Sequence, residues 1–396
     1  MNINVKNNVH WVGKTDWELR KFHGDEYSTF KGSTYNSYLI KEEKTVLIDT
    51  VWKPYEKEFV RNLASEIDLN SIDYIIANHA EIDHSGALPE LLRQIPDTPV
   101  YCTKNGLKSF KGHFHEDWNF KVVKTGDRLS LGSKELIFVE APMLHWPDSM
   151  MTYLTGDNIL FSNDAFGQHY ASEFMFNDRV NQEELFTEAL KYYANILTPF
   201  SPLVIRKINE FLSLNLPLDI ICPSHGVIWR DNPVQIVQKY LTWADNYQEN
   251  QVTIIYDTMW DSTRKMAENI ARGIREENET LNVKLYNSAK SDKNEIITEI
   301  FKSKAILIGS PTINRGVLTS IAALLEEVSG LKFAGKKAAA FGSYGWSGES
   351  PAVITKRLHE AGFAIADDGM KITWNPDAKG ADQCREYGKE FAKAIQ

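Results

Sequence analysis

Cysteine is scarce. The 396 residues contain three, Cys102, Cys222 and Cys384, scattered and odd in number, and no CxxC pair. That excludes a disulfide framework, a rubredoxin-type iron site and a thiolate-bound zinc, and it suits a reducing compartment. Long apolar runs are missing too. None approaches the ~18 residues a membrane span needs, and the opening "MNINVKNNVHWVGKTD" has no apolar stretch of signal-peptide length. A cytoplasmic protein with no membrane partner is expected. Positive charge is also in deficit: 44 Lys and Arg stand against 53 Asp and Glu, a formal charge of −9. The chain as a whole is therefore no nucleic-acid binder. Neither GxGxxG nor GxxxxGK[ST] occurs, which disfavours a dinucleotide fingerprint and a triphosphate loop.

What is present is ordinary globular material, 43% hydrophobic and 24% charged, long enough for two or three domains. The first half is rich in short strand patterns: "SYLI", "TVLIDT", "DYIIANH", "PVYCT", "ELIFVEAP" and "NILFSND". Helical patterns follow late, over 182–197, 203–214 and 233–248, and the combination predicts an α/β sandwich. Near residue 250 the rhythm changes. Strand "VTIIYDT", helix 262–275, strand "NVKLYN", helix 293–302, strand "AILIGSP", helix 318–328, strand "AAAFGSYG" and helix 351–361 alternate regularly. That alternation predicts a doubly wound parallel sheet. The polar stretch "DNYQENQ" (245–251) is the expected junction, giving domains 1–249 and 250–396.

Residues 78–86, "NHAEIDHSG", place His79, Glu81, Asp83 and His84 within six positions at the end of a strand. His145, Asp164 and His225 each follow another strand-like run, so strand ends could gather all seven. Four imidazoles and three carboxylates are too many ligands for one tetrahedral zinc and imply two metals. Two divalent ions against three carboxylates leave a net +1, and Asp164 can bridge. Imidazole with carboxylate suits iron or manganese at least as well as zinc, so ligand type leaves the metal open. His10, His113, His115, His169 and His359 are read as structural.

The second constellation lies in the second half. "YDTMWDSTRKMA" (256–267) ends a strand and opens a helix, with hydroxyls at Thr258, Ser262 and Thr263 and with Met259, Trp260 and Asp261 between them. Amide groups at a helix start suit a phosphate. "GSPTINRG" (309–316) brings Ser310, Pro311, Thr312, Ile313 and Asn314, and "GSYGWSGE" (342–349) brings Ser343, Tyr344, Gly345, Trp346, Ser347 and Gly348. Three such loops converge beyond the strand ends of a doubly wound sheet. Aromatics and close-approaching glycines fit a flat ring, and the loops resemble those of flavodoxin, whose cofactor is FMN.

"HAEIDH" resembles the metallo-β-lactamase-fold signature, which in zinc hydrolases reads HxHxDH. Glu81 replaces the second histidine, and that departure is similar to the flavodiiron proteins. The resemblance spans nearly the whole chain and extends to "APMLHWPDSMMTYLTGD" and "FSNDAFGQHY", which are similar to the flavodiiron core of flavorubredoxins. It implies an αββα sandwich followed by a flavodoxin-like domain. It further implies one iron on His79, Glu81 and His145, a second on Asp83, His84 and His225, and Asp164 as the bridge. In some members the position of His84 turns away from iron. No rubredoxin domain follows "CREYGKEFAKAIQ", so the minimal two-domain class and an external donor, such as rubredoxin or a flavin reductase, are implied. The expected activity is reduction of NO to N2O, of O2 to water, or both, with His23 and Tyr193 as hydrogen-bond donors to bound substrate. A head-to-tail homodimer or homotetramer is implied as well. Two competing readings are a binuclear zinc hydrolase, which leaves the flavin half idle, and a flavodoxin-type electron carrier with an inactive metal half.

Overall fold

Seven strands form the first sheet, in the order Ile3–Lys6, Val9–Trp11, Tyr38–Lys41, Thr45–Ile48, Ile72–Ile76, Val100–Thr103 and Phe120–Val123. The computed structural model describes residues 2–333 and 335–395. A second sheet of five runs Arg128–Ser130, Glu135–Glu140, Met150–Leu154, Ile159–Asn163 and Ile220–Pro223. Side-chain alternation explains why the two stack. Tyr38, Ile40, Val46, Ile48 and Ile76 point towards Phe138, Met150, Phe161 and Cys222 of the other sheet. Their neighbours Leu39, Leu47 and Ile75 point the opposite way, onto helical Phe59, Val60, Leu63 and Phe110. Beyond the five-stranded sheet, the Tyr153 ring meets Phe211 of the helix Ser201–Ser213. The layers are thus helix, sheet, sheet, helix, as expected.

Helices begin earlier than the sequence pattern places them. Glu56–Glu66 and Lys104–Phe114 both lie in the strand-rich half. Each buries a short single face, Phe59, Val60 and Leu63 in one and Gly106 and Phe110 in the other. Caps and charges supply the rest: Glu56 and Glu58 face the first turn of one, and Thr103 accepts from the Gly106 amide at the start of the other.

Compact units comprise the chain up to Tyr193 with Phe200–Asp245, and Ala194–Pro199 with Asn246 onward. The second unit carries the parallel sheet, ordered Asn282–Asn287, Glu249–Tyr256, Ser303–Gly309, Lys337–Tyr344 and Ala364–Ile365, with Met370–Thr373 also beside Lys337–Tyr344. All its pairings are parallel. A long helix, Ala378–Ala394, is absent from the sequence-based expectation. It packs on the helix Ser262–Glu277 through small residues rather than a broad apolar stripe. A Cβ on Gly388 would lie 2.2 Å from the Ile270 carbonyl oxygen, and one on Gly273 would lie 1.9 Å from that of Arg385. Backbones this close require glycine.

Lys336 fastens the start of this unit. Its Nζ donates to the carbonyls of Tyr247 (2.8 Å), Phe301 (2.8 Å) and Ser303 (2.7 Å). Burial pushes its pKa down to about 8. The three acceptors work the other way, because only the ammonium fills all three at once. Lys336→Met should therefore cost about 1–3 kcal/mol through the orphaned carbonyls. Urea unfolding of the full chain would show a lower midpoint at unchanged slope; an unchanged midpoint would remove Lys336 as a fastening.

Candidate functional site

Every candidate metal ligand sits just past a strand. His79, Glu81, Asp83 and His84 follow Ile72–Ile76 of the seven-stranded sheet. His145, Asp164 and His225 follow Glu135–Glu140, Ile159–Asn163 and Ile220–Pro223 of the five-stranded sheet. A short helix, Ile82–Ser85, turns Asp83 and His84 inward. The backbone of His84 is tied down by Thr50, whose amide (2.7 Å) and hydroxyl (2.8 Å) both donate to its carbonyl.

The donor atoms divide into two sets around Asp164. His79 Nε2 lies 3.2 Å from Glu81 Oε2 and 3.7 Å from Asp164 Oδ2. His145 Nε2 lies 3.5 Å from each of the same two oxygens. On the other side, His84 Nε2 is 3.3 Å from Asp83 Oδ2 and 3.1 Å from Asp164 Oδ1. His225 Nε2 is 3.0 Å from Asp83 Oδ2 and 3.5 Å from Asp164 Oδ1. Donors about 2.1 Å from a shared ion stand roughly 3.0–3.5 Å apart, and all of these distances fall in that range except His79 to Asp164, which is slightly longer. His84 Nε2, Asp83 Oδ1 and both oxygens of Asp164 are buried without hydrogen-bond partners. Orphaned polar atoms of this kind are costly unless something is bound to them. The residues fit two cations, each with two imidazoles, one private carboxylate and one oxygen of Asp164. His84, whose orientation the sequence leaves open, turns inward.

Electrostatics agree. Burial alone would discharge these groups, yet the net shifts favour charge. Burial opposes the charge on Asp164, but His84 and then His145 hold its carboxyl well below the usual range. Burial likewise opposes a proton on His84, but Asp164 and Asp83 raise it to about 9. Metals entering such a site displace imidazole protons and take over their role.

Supporting contacts fix which nitrogen faces inward. His79 Nδ1 is 2.9 Å from Asp148 Oδ2, which also accepts from the Ala80 amide at 2.8 Å. His225 Nδ1 donates to the Thr34 carbonyl at 2.6 Å. Each contact leaves Nε2 free to ligate. Sequence reasoning missed Asp148; nothing in "HWPDSM" announces a partner 69 residues upstream.

His23 reaches the cluster, its Nε2 3.0 Å from Glu81 Oε1. Burial works against its proton, but the hydrogen bond to Glu81 and the nearby Asp83 and Asp164 raise its pKa. Tyr193 requires a correction. Its hydroxyl is hydrogen-bonded with Ser201 at 2.9 Å, and its ring packs against Tyr240 and Trp243. The preceding residue, Tyr192, faces the cluster instead. Burial, Asp164, Asp83 and Glu81 all push its hydroxyl up, and its ring centroid is 5.2 Å from that of His169. One step along a helix turns a side chain by about 100°, which moves it to a different face. His169, read as structural, lies in the same pocket, with its ring centroid 5.1 Å from that of His225 and Nδ1 2.9 Å from Ser33 Oγ.

In the second unit the three loops enclose a cavity of about 530 Å³. Thr258, Met259, Trp260 and Ser262 line it from the first loop, Pro311, Thr312, Ile313 and Asn314 from the second, and Ser343, Tyr344, Gly345, Trp346 and Ser347 from the third. The hydroxyl of Thr258 is buried without a partner at the start of the helix Ser262–Glu277, so the seat fits a phosphate. Three tryptophans stand out of the fold around the cavity: Trp260 (87% exposed), Trp346 (89%) and Trp374 (65%). A cavity of this size with aromatic walls and a phosphate seat fits a flavin mononucleotide.

Four expected residues do not line the cavity. Thr263 Oγ1 is 3.0 Å from Ser343 Oγ, joining two loops from beneath. Ser310 accepts from the Leu318 amide and donates to the Pro311 carbonyl. Asp261 pairs with Arg264, and Gly348 lies under the Tyr344 ring. Arg315 and Trp374 line the cavity unforeseen. Trp374 follows the strand Met370–Thr373, so the strand-end rule would have found it had that strand been recognised. Among the described residues, no helix is long and apolar enough to cross a membrane.

Comparison with known proteins agrees with both halves. The ODP family beta lactamase profile matches residues 34–226, and the flavodoxin profile matches residues 254–388. The chain is 59% identical over 395 residues to the anaerobic nitric oxide reductase flavorubredoxin of Escherichia coli O1:K1, covering 99% of this chain and 82% of that protein. The Salmonella typhi protein of the same name gives the same identity and coverage. Among solved structures, rubredoxin oxygen:oxidoreductase from Desulfovibrio gigas is 38% identical with a TM-score of 0.96, covering 100% of this chain and 98% of that one. The flavodiiron protein of Giardia intestinalis is 32% identical with a TM-score of 0.94, covering 100% and 97%. With a two-cation cluster in one unit and a flavin cavity in the other, the chain belongs to the flavodiiron protein family.

Proposed function

We propose that this protein is a nitric oxide reductase that joins two NO molecules, two electrons and two protons into N2O and water. The observation that carries the reading is the pairing, in one chain, of a seven-ligand cluster with a flavin-sized cavity. The name of the 59%-identical relatives supports NO as substrate. The Desulfovibrio gigas neighbour supports a second activity, reduction of O2 to water. Residues 1–249 are assigned to the diiron domain and 250–396 to the FMN domain, although Ala194–Pro199 and residues 246–249 group with the second compact unit.

When bound, FMN and the iron pair supply electrons one at a time to a diatomic ligand. The chain's own residues do the remaining work. His79, Glu81 and His145 would hold one iron, Asp83, His84 and His225 the other, and Asp164 offers one oxygen to each set. Asp148 and the Thr34 carbonyl lock two of the imidazoles in the ligating tautomer. His23, whose proton is favoured by the hydrogen bond to Glu81, is placed to donate to whatever binds on that face. Tyr192, rather than Tyr193, is its companion.

Electrons arrive from a separate donor protein such as rubredoxin or a flavin reductase, for which the exposed tryptophans offer a landing surface. Each site belongs to its own unit, and a head-to-tail homodimer or homotetramer would set one chain's flavin beside another's irons. Three free cysteines, all buried, suit a cytoplasmic setting.

Three outcomes are expected. Reduced protein with FMN and iron quantified, mixed anaerobically with NO, should reoxidise rapidly with N2O formed, and should react with O2 more slowly; no reaction with either gas would overturn the reading. Asp148→Ala should lower iron affinity by about 10–100-fold, with Asp148→Asn less affected because an amide oxygen still accepts from Nδ1; equal iron content at limiting metal would contradict it. His23→Ala should slow NO turnover by at least about 10-fold with iron content unchanged; equal rates for both gases would take His23 out of the mechanism.

A further inference from the structure

We propose that Arg315 sets the reduction potential of the bound flavin by fixing a positive charge beside the ring. The proposal rests on the FMN assignment above. Among the described side chains that line the cavity, Arg315 is the only charged one. The nearby acids are engaged elsewhere or stand back. Asp261 pairs with Arg264 at 2.9 Å. Asp257 accepts from the Ser320 hydroxyl at 2.6 Å and from the Thr258 amide at 2.7 Å. Glu349 is not part of the cavity wall. The cavity therefore has a net positive lining in a chain whose overall formal charge is −9.

The backbone that carries Arg315 is built rather than accidental, and the side chain itself is exposed. Asn314 (φ 49°) and Arg315 (φ 59°) are consecutive left-handed residues, a conformation that asparagine tolerates and that is disfavoured for arginine. Two backbone hydrogen bonds close the turn around them, Ile313 N to Gly316 O at 3.3 Å and Gly316 N to Ile313 O at 2.7 Å. Backbone strain held in place by closed hydrogen bonds is characteristic of ligand-gripping turns. The phosphate already has a seat at the helix start after Thr258, on a different loop. That leaves the ring as the target of the guanidinium.

The consequence is electrostatic. An oxidised isoalloxazine is neutral. Each electron it accepts from a one-electron donor protein adds one negative charge unless a proton follows. A fixed cation lowers the energy of the reduced forms and leaves the oxidised form nearly untouched. The electron that arrives without a compensating proton gains most, and this is the second if a proton accompanies the first. Both electrons can then be loaded from the same mild donor.

The test uses the full chain loaded with FMN. Anaerobic potentiometric titration would give both one-electron potentials for wild type, Arg315→Lys, Arg315→Ala and Arg315→Glu. FMN and riboflavin binding would be measured alongside by fluorescence quenching. Arg315→Ala should shift the second couple about tenfold towards the oxidised side, equivalent to about 59 mV for one electron. Arg315→Glu should shift it further, and Arg315→Lys should retain most of the wild-type value. Unchanged potentials in both Ala and Glu variants overturn the proposal. If in addition FMN binds more weakly while riboflavin does not, Arg315 is a phosphate ligand instead. Failure of the wild-type chain to bind FMN would overturn the cofactor assignment itself, and the proposal with it.

Discussion

Three carboxylates buried within reach of one another are the constraint around which the first unit is organised. Glu81, Asp83 and Asp164 are each less than a tenth exposed. Unpaired, buried charges of one sign carry a penalty of several kcal/mol per ion. The surrounding imidazoles offset this, and bound cations would do so more strongly. The two oxygens of Asp164 face different histidine pairs, so one side chain sets the spacing of both sets. Its own position depends on the sandwich. Asp164 comes from the five-stranded sheet and His79 from the seven-stranded one, and the apolar layer of Ile76, Phe161 and Cys222 between the sheets fixes their separation. Packing of the core and geometry of the site are the same quantity here.

Histidine chemistry at such a site needs more than proximity. A neutral imidazole presents one lone pair, and a ring flipped to the wrong tautomer presents a proton instead. Asp148 settles the matter for His79 and the Thr34 carbonyl for His225. Neither group touches the metal position, yet each decides whether a ligand exists there. Asp49 acts in a similar way from farther out. It accepts from the Asn78 amide and side chain, and Asn78 in turn accepts from Thr152. Burial raises the Asp49 carboxyl to about 6 against the pull of His84, Asn78 and His79. The loop that begins at Asn78 is thereby anchored to both sheets before the first ligand appears.

Much of this was legible in the sequence, and the reasons are specific. Four candidate ligands share six consecutive positions, and the other three each end an apolar run, so local pattern alone nominates them. The parallel sheet was readable because strands and helices alternate in long, strongly apolar segments. Asp148 was not readable, because its role is defined by a partner far away in the chain. The choice between Tyr192 and Tyr193 was lost because adjacent tyrosines are equivalent until the helix fixes their rotation. The terminal helix has a buried face at helical spacing, Gly380, Cys384, Gly388, Phe391 and Ala392, but three of these five are glycine or alanine and give a weak apolar signal. Trp374 went unnoticed because the strand before it, "MKIT", buries one residue firmly and leaves its alternation weak.

Glu81 is where the chain departs from the hydrolase pattern, and geometry shows what the departure achieves. A histidine at this position would offer one nitrogen to one metal. The carboxylate offers two oxygens with separate duties. Oε2 lies between His79 and His145, 3.2 and 3.5 Å away, where a cation would sit. Oε1 holds His23 at 3.0 Å. One substitution therefore adds a negative charge to the cluster and provides a dock for the His23 imidazole at its edge. The added charge brings two divalent ions and three carboxylates to a net +1 in place of +2, and carboxylate with imidazole is a ligand environment that suits iron. The dock matters for a different reason. Hydrolysis needs a water made nucleophilic, whereas reduction of NO or O2 needs protons delivered as electrons arrive. A residue that can serve as ligand through one oxygen while holding His23 through the other would meet both requirements of reductive chemistry.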